Sequence, residues 1–100
     1  MATLTVTASV GSPSGAPLGM FTVLMTPTMQ QIATGPHTPC SFPLTVGQDY
    51  ILQVQDYVVN GAGHVFSHYI LPNGQTSTTR NLPISIATNS SIIAIFNAVP

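Results

Sequence analysis

The 100-residue sequence predicts an all-β domain, an antiparallel β-sandwich of about seven short strands. Apolar and polar residues alternate with period two along several short runs, which is the pattern of half-buried strands. Clusters of Gly, Pro, Asn and Ser separate those runs, and no stretch has helical spacing. The length suits one hydrophobic core, so we expect a single domain over residues 1–100. An open barrel is the alternative arrangement of the same strands.

The first run covers residues 2–10 and predicts a strand with an apolar face and a threonine-rich face. Its apolar face consists of Leu4, Val6, Ala8 and Val10. Residues 11–19 (GSPSGAPLG) are rich in Gly and Pro and predict a loop or hinge. We therefore expect residues 1–10 to be an exchangeable N-terminal strand that can swing away on the hinge loop.

Two apolar runs and a polar segment follow in the middle of the chain. Residues 20–26 form a continuous apolar run, typical of a strand covered on both faces. Extended pieces at residues 30–33 and 40–46 predict edge strands, because prolines such as Pro43 cannot serve a central hydrogen-bond ladder. Gly47 with Gln48 predicts the turn that ends this part of the chain.

The second half alternates more strongly. Tyr50, Leu52 and Val54 share one face and predict the central strand of a sheet. The remaining signals come in chain order: a hairpin tip at Asn60-Gly61-Ala62-Gly63, a return strand at 64–71, a tight turn at Pro72-Asn73-Gly74, a polar strand or exposed segment at 75–81, an alternating strand at 82–86, a turn at Asn89 and a final strand at 92–98. In the final strand, Ile92, Ala94 and Phe96 are predicted to share a face.

The predicted surface is almost uncharged. Charged residues make up 3% of the sequence, namely Asp49, Asp56 and Arg80, where about a quarter is usual. A net charge of −1 provides no field for phosphates, so we expect neither nucleic acid nor anionic lipid as a partner. No apolar run approaches the roughly 20 residues of a membrane-spanning helix. Near-neutral surfaces favour association, which makes a homo-oligomer or homopolymer the expected state.

The residue inventory predicts no catalytic, cofactor or metal site. Hydrolytic catalysis needs a carboxylate near a histidine or near a second carboxylate, and the two Asp residues fall at predicted strand ends, where they suit turn capping. His64 and His68 are expected on one strand face about 13 Å apart, too far for one ion. A copper site is disfavoured because no His or Met closely follows Cys40, although His37 precedes it.

Two further residues have readings that the sequence leaves open. Cys40 is the single cysteine, so it is either a small buried hydrophobic residue or a disulfide partner for another chain. Asn89-Ser90-Ser91 matches the N-x-S/T pattern in a predicted exposed turn, which makes Asn89 a candidate glycosylation site if a glycosylating cell exports the protein. The start MATLTVTASV is not a signal peptide, so a targeting segment would lie outside this sequence.

Residues 40–98 resemble a known class of module. YILQVQDY is followed by a Gly-containing turn and then by HVFSHYILPNGQTSTTRNLPISIATNSSIIAIFN. This order is similar to that of Ig-like or bacterial-repeat β-sandwich modules of large archaeal and bacterial cell-surface or secreted proteins. The matching positions are Phe66, Tyr69, Gly74, Asn89, Ala94 and Phe96. Tyr69 departs from the family, which usually has Trp there, but a tyrosine can still pack in a core and hydrogen-bond.

The resemblance implies a structural, adhesive or spacer role outside the cell, with no catalytic residues. The first expectation is a non-enzymatic, extracellular or cell-surface structural protein, a filament-forming subunit that self-associates by donating the strand with Leu4, Val6, Ala8 and Val10 to a neighbour. The second is an adhesion module that binds a glycan or a surface protein. For the second, a stacking surface would draw on Tyr50, Tyr57, His64, Phe66, His68 and Tyr69, although the resemblance implies instead that Tyr50, Phe66 and Tyr69 pack in the core.

Overall fold

The fold is taken from a computed structural model, which describes residues 2–55, 57–59 and 62–99. Within these ranges the chain contains ten strands and no helix. In chain order they are β1 Ala2–Val10, β2 Phe21–Met25, β3 Gln31–His37, β4 Cys40–Leu44, β5 Tyr50–Val54, β6 Tyr57–Val59, β7 Ala62–Ile70, β8 Thr76–Ser77, β9 Leu82–Ile84 and β10 Ser90–Val99. The described part of the chain thus has no helix long and apolar enough to cross a membrane.

The strands form two sheets around one core. The first sheet has the order β4-β1-β10-β7-β6, with the short β8 also paired to β7, and the second sheet has the order β3-β2-β5-β9. This confirms the predicted all-β fold. The strand number exceeds the predicted one. β8 and β9 lie within the segments predicted at 75–81 and 82–86, whereas β6, with three residues, produces too few alternations to be recognised as a separate strand.

The position of β1 is the main departure from a purely antiparallel sandwich. It lies between β4 and β10, antiparallel to β4 but parallel to β10, with register from Leu4 opposite Ser90 to Val10 opposite Phe96. The other strand pairs in the described residues are antiparallel. A parallel pair between the first and last strands cannot be joined by a tight turn, so no local signal announces it.

The core forms where the predicted apolar faces meet. The buried cluster draws on both sheets and includes Leu4, Val6, Leu24, Phe42, Leu44, Tyr50, Leu52, Val54, Tyr69, Ile92, Ala94 and Phe96. The shared faces predicted for β5 and β10 are therefore confirmed, as is the central place of β5 between β2 and β9. In β2, Thr22 to Met25 are buried, as predicted for a strand covered on both faces.

Proline occurs in three of the five described strands that border the sheets. β3 contains Pro36, β4 contains Pro43 and β9 contains Pro83. The edge positions predicted for β3 and β4 are confirmed. Because proline has no N–H to donate, it interrupts the row of donors that an edge strand offers to another chain.

A β-bulge in β7 places two aromatic rings in the core. The register with β10 shifts so that His68 lies opposite Ile95 while Phe66 lies opposite Phe96. Phe66 and Tyr69, three residues apart, consequently both face the core, with ring centroids 4.6 Å apart. The same shift puts His64, which lies opposite Ala98, on the other face from His68. The prediction that these histidines share a face is wrong, because strict alternation fails at a bulge.

The turn after β7 forms as predicted. Leu71 O accepts a hydrogen bond from Gly74 N at 2.9 Å, and Leu71 N donates to Gln75 O at 2.7 Å. Gly74 has φ 87°, a left-handed conformation that favours glycine. The preceding hairpin pairs Val59 with Ala62, whereas the predicted tip residues Asn60 and Gly61 lie outside the described residues.

Candidate self-association site

The predicted exchangeable strand, β1, is an interior strand of the first sheet, between the edge strand β4 and β10. Leu4 and Val6 have 0% of their surface exposed, and Ala8 has 4%. Leu4 lies opposite Phe42 of β4, and Val6 lies opposite Ile92 of β10. Three of the four predicted self-association residues therefore fill the interior of the chain's own sandwich.

The neighbours of β1 form an apolar slot around it. Phe42 and Leu44 of β4 and Ile92, Ala94 and Phe96 of β10 are all buried in the same core cluster. A sheet without β1 would expose these side chains along a cleft between two strands. The cleft would have the length and the apolar lining to accept one extended segment with small and medium apolar residues at alternate positions.

The regular pattern of β1 changes at its C-terminal end. Val10, the fourth predicted self-association residue, is only half-buried, whereas Ser9 is buried despite its place on the threonine-rich face. Ser9 Oγ donates a hydrogen bond to Ser12 O at 2.7 Å, which satisfies the buried hydroxyl. The loop that follows β1 thus covers the end of the strand.

The predicted hinge is folded back on β1, and we call residues 11–18 the clasp. Val10 N donates to Ala16 O at 3.1 Å, and Leu18 N donates to Ala8 O at 2.9 Å. Gly11 N donates to Phe96 O at 2.9 Å, which ties the start of the clasp to β10. The clasp is a hydrogen-bonded turn, not an extended linker.

Thr38 anchors the chain just after the clasp, and the sequence analysis missed this residue. Its side chain is buried, and its Oγ1 accepts a hydrogen bond from Met20 N at 2.9 Å while donating to Leu18 O. Thr38 N also donates to Met20 O at 3.0 Å. A threonine between His37 and Pro39 in a polar segment gives no sequence signal for such a role.

Asn89 supports the N-terminal end of β1. Its Oδ1 accepts a hydrogen bond from Thr3 N at 2.9 Å, and the residue is exposed. N-linked glycans attach to the side-chain nitrogen, so this contact leaves the attachment atom unused by Thr3. Glycosylation of Asn89 stays a prediction.

The outer face of the first sheet carries hydroxyl groups beside a groove. Thr5 Oγ1 lies 3.3 Å from Ser41 Oγ across the β1/β4 pair. An open groove of about 680 Å³ adjoins this face, and its lining comprises Thr3, Thr5, Ile70, Leu71, Pro72, Thr88, Asn89, Ser90, Ser91 and Ile93. The lining combines hydroxyl and amide groups with aliphatic side chains and contains no charged or aromatic residue.

The aromatic residues proposed for a stacking surface lie mostly in the core. Tyr50 and Tyr69 are buried, and Phe66 is packed against the core cluster with the Arg80 guanidinium 5.4 Å from its ring centroid. The Tyr57 side chain lies outside the described residues. Tyr50, Phe66 and Tyr69 thus pack in or against the core, as the resemblance implied, while His64 and His68 lie on opposite faces of β7. Tyr69 packs and hydrogen-bonds, as expected for a tyrosine in place of tryptophan.

Cys40 is half-buried against the core, and its Sγ lies 3.7 Å from Thr22 Oγ1. Burial raises the pKa of the Cys40 thiol, and the Thr22 contact opposes this only partly. A raised thiol pKa keeps the group protonated and weakly nucleophilic. This favours the reading of Cys40 as a small apolar residue.

Groups suited to chemistry are sparse in the described ranges. Among residues 2–55, 57–59 and 62–99, no three His, Cys, Asp or Glu side chains converge as metal ligands do. Asp49 is exposed beside the start of β5, where the capping role was predicted, and Asp56 lies outside the described residues.

The chain matches no protein-family model, and comparisons with curated proteins and with solved structures find no match either. The likeness to Ig-like surface modules therefore remains an expectation from the sequence alone.

Proposed function

We propose that the protein is a non-enzymatic structural subunit, extracellular or at a cell surface, that self-associates by exchanging β1 between copies. In the exchanged form, β1 of one chain fills the slot between β4 and β10 of the next. Reciprocal exchange would give a dimer, and serial exchange would give a filament.

The central burial of β1 carries this proposal. Full burial of side chains such as Leu4 and Val6 contributes about 1.5–3 kcal/mol each, which is large beside the roughly 5–15 kcal/mol that stabilises a typical domain. An empty slot is therefore strongly disfavoured. A neighbour's identical strand restores every contact of the slot, so exchange retains this stabilisation.

The reach of the hinge supports exchange. Residues 11–19, fully extended, span about 30 Å at roughly 3.3–3.6 Å per residue. The described domain measures 40 × 27 × 20 Å along its principal axes. An opened hinge can thus carry β1 beyond the shorter dimensions of its own domain.

The surface composition favours association by strand exchange over association by edge-to-edge pairing. Prolines in β3, β4 and β9 hinder simple pairing of these edges with another chain. The near absence of charge removes long-range repulsion between copies. Exchange of the interior strand β1 does not require another chain to pair with these edges. The uncharged surfaces of the two copies can also approach each other without repulsion.

Light scattering after refolding tests the proposal. The chain is unfolded, refolded at high concentration and then diluted, since exchanged species separate only by unfolding again. We expect dimers or larger species that persist after dilution and are visible by electron microscopy. A variant that lacks residues 1–10 is the control: because its slot is empty, it should stay unfolded or form irregular aggregates, and it should not form these discrete species. A full-length chain that stays monomeric at every concentration, or a truncated chain that folds and forms the same dimers or filaments, would contradict the proposal.

Glycan binding in the groove beside Thr3 and Ser91 is the second candidate function. The hydroxyl and amide lining of this groove supports it. Calorimetric titration with neutral oligosaccharides tests it, with Ser91→Phe as a variant that fills the groove. Heat of binding that disappears in the variant would favour this function over self-association alone.

A further inference from the structure

We propose that the clasp is a conformational lock that keeps β1 in its own domain, and that Gly15 is the residue that allows the lock to close. This inference rests on the proposed strand exchange. It names the element that decides whether β1 stays in its own domain, the closed form, or moves to another copy, the exchanged form.

The clasp closes through an unusually tight approach at Gly15. Ser12 N donates to Val10 O at 2.8 Å, and Gly15 N donates to Ser12 O at 2.9 Å. A Cβ atom added to Gly15 would lie 1.8 Å from Val10 O and 2.9 Å from Val10 C. Both are backbone atoms of β1, so they cannot rotate away as a flexible side chain would. Any other residue at position 15 must therefore displace the clasp from the end of β1.

The contacts of β1 fall into two groups with respect to exchange. Pairing with β4 and β10 forms equally well within one chain or between two chains. The hydrogen bonds from Val10 N to Ala16 O and from Leu18 N to Ala8 O need the loop to double back. A hinge that extends toward a neighbour loses them. The clasp thus stabilises the closed form selectively, and its loss shifts the balance toward exchange.

Gly15→Ala tests the lock, and Gly19→Ala is its matched control. A Cβ on Gly19 would meet only Thr38 O, at an ordinary 3.6 Å. We expect Gly15→Ala to raise the ratio of exchanged to monomeric protein after refolding by about tenfold or more, since two backbone hydrogen bonds of the closed form are lost. Gly19→Ala should match the unsubstituted chain. Amide hydrogen exchange at Val10 and Leu18 reports whether the clasp has opened.

Ser9→Ala gives a milder second test if Gly15→Ala does not fold. It removes the hydrogen bond from Ser9 Oγ to Ser12 O and leaves a small apolar side chain at a buried position. A smaller increase in exchange than for Gly15→Ala is expected.

The outcomes separate this inference from the function on which it rests. If the unsubstituted chain exchanges and the clasp variants exchange no more than it does, the lock is overturned and strand exchange stands. If hydrogen exchange shows an open clasp and no variant exchanges strands, both the lock and strand exchange are overturned.

Discussion

The Tyr69 hydroxyl, carried by the first sheet, accepts a hydrogen bond from Val54 N of the second sheet at 3.0 Å. The same hydroxyl donates to Arg80 O at 2.8 Å, and none of the Tyr69 surface is exposed. One phenol therefore satisfies two backbone groups and joins β5, β7 and the segment before β9. This explains why a tyrosine serves at a core position where an indole cannot accept a hydrogen bond.

Tyr69→Phe should destabilise the domain by about 1–3 kcal/mol, because Val54 N and Arg80 O lose their shared partner inside the protein. Urea unfolding followed by circular dichroism measures the change. Tyr50→Phe is the control: Tyr50 OH accepts a hydrogen bond from Thr45 N at 3.0 Å, and Thr45 is exposed, so water can replace the phenol. Equal losses in the two variants would contradict this role of Tyr69.

Stability should fall as pH rises above about 10, the pKa of an unfolded tyrosine. Burial raises the pKa of Tyr69 to about 12, although the Val54 hydrogen bond and the Arg80 charge act in the opposite direction. Between these values the folded state keeps a proton that the unfolded state releases. The stabilisation that the protonated Tyr69 hydroxyl provides is therefore complete below about pH 10, and it is lost as pH approaches about 12.

Urea midpoints at about pH 9 and about pH 11 measure this loss. Tyr69→Phe removes the titrating group, so its midpoint should fall less between the two pH values than that of the unsubstituted chain. The same decrease in both proteins would assign the effect to other groups.

Leu4→Ala should destabilise the domain by about 2–5 kcal/mol, since it opens a cavity in the slot that holds β1. Thr3→Ala, on the opposite face of the same strand and exposed, should change stability by less than about 1 kcal/mol. Chemical denaturation compares the two variants. If Leu4→Ala is as stable as the unsubstituted chain, β1 does not occupy the slot.

Thr38→Val should destabilise the domain by about 1–3 kcal/mol, because a buried side chain of equal shape no longer pairs with Met20 N and Leu18 O. Thr88→Val, at an exposed position, should stay within about 0.5 kcal/mol. Thermal unfolding suffices for the comparison. If Thr38→Val unfolds at the same temperature as the unsubstituted chain, Thr38 does not anchor the chain after the clasp.

The faces of β1, β5 and β10 could be predicted from the sequence because alternation with period two depends on the local chain alone. Leu52 and Ile92, for example, are buried as their patterns predict. Pro43 likewise marked its strand as an edge, since the missing N–H is a property of the residue itself. These features need no knowledge of distant segments.

The features that the sequence did not reveal depend on contacts between distant segments or on a single irregular residue. The parallel register of β1 with β10 joins the two ends of the chain. The bulge in β7 that brings Phe66 and Tyr69 together leaves no compositional mark. The clasp needs Gly15 against Val10 O, and a Gly in a Gly/Pro-rich loop predicts flexibility as readily as a tight turn.

Strand exchange is tested most directly by a disulfide between Thr5→Cys and Ser41→Cys. These residues are register partners in the β1/β4 pair, within the Cα separation of about 4.4–6.8 Å that a disulfide spans. Each substitution is made in a separate chain that also carries Cys40→Ser. The two chains are unfolded together, refolded at high concentration, oxidised and analysed by mass spectrometry.

The account predicts a heterodimer joined by Cys at positions 5 and 41, because β1 of one chain occupies the slot of the other. The control for random oxidation pairs a Thr5→Cys chain with a Ser85→Cys chain, since Ser85 is exposed and lies beyond β9 in the second sheet. This pair should give far less disulfide-linked heterodimer. If the Thr5→Cys and Ser41→Cys chains link no more than this control, while both substitutions in one chain form the bond internally, β1 stays in its own domain and the central claim is contradicted.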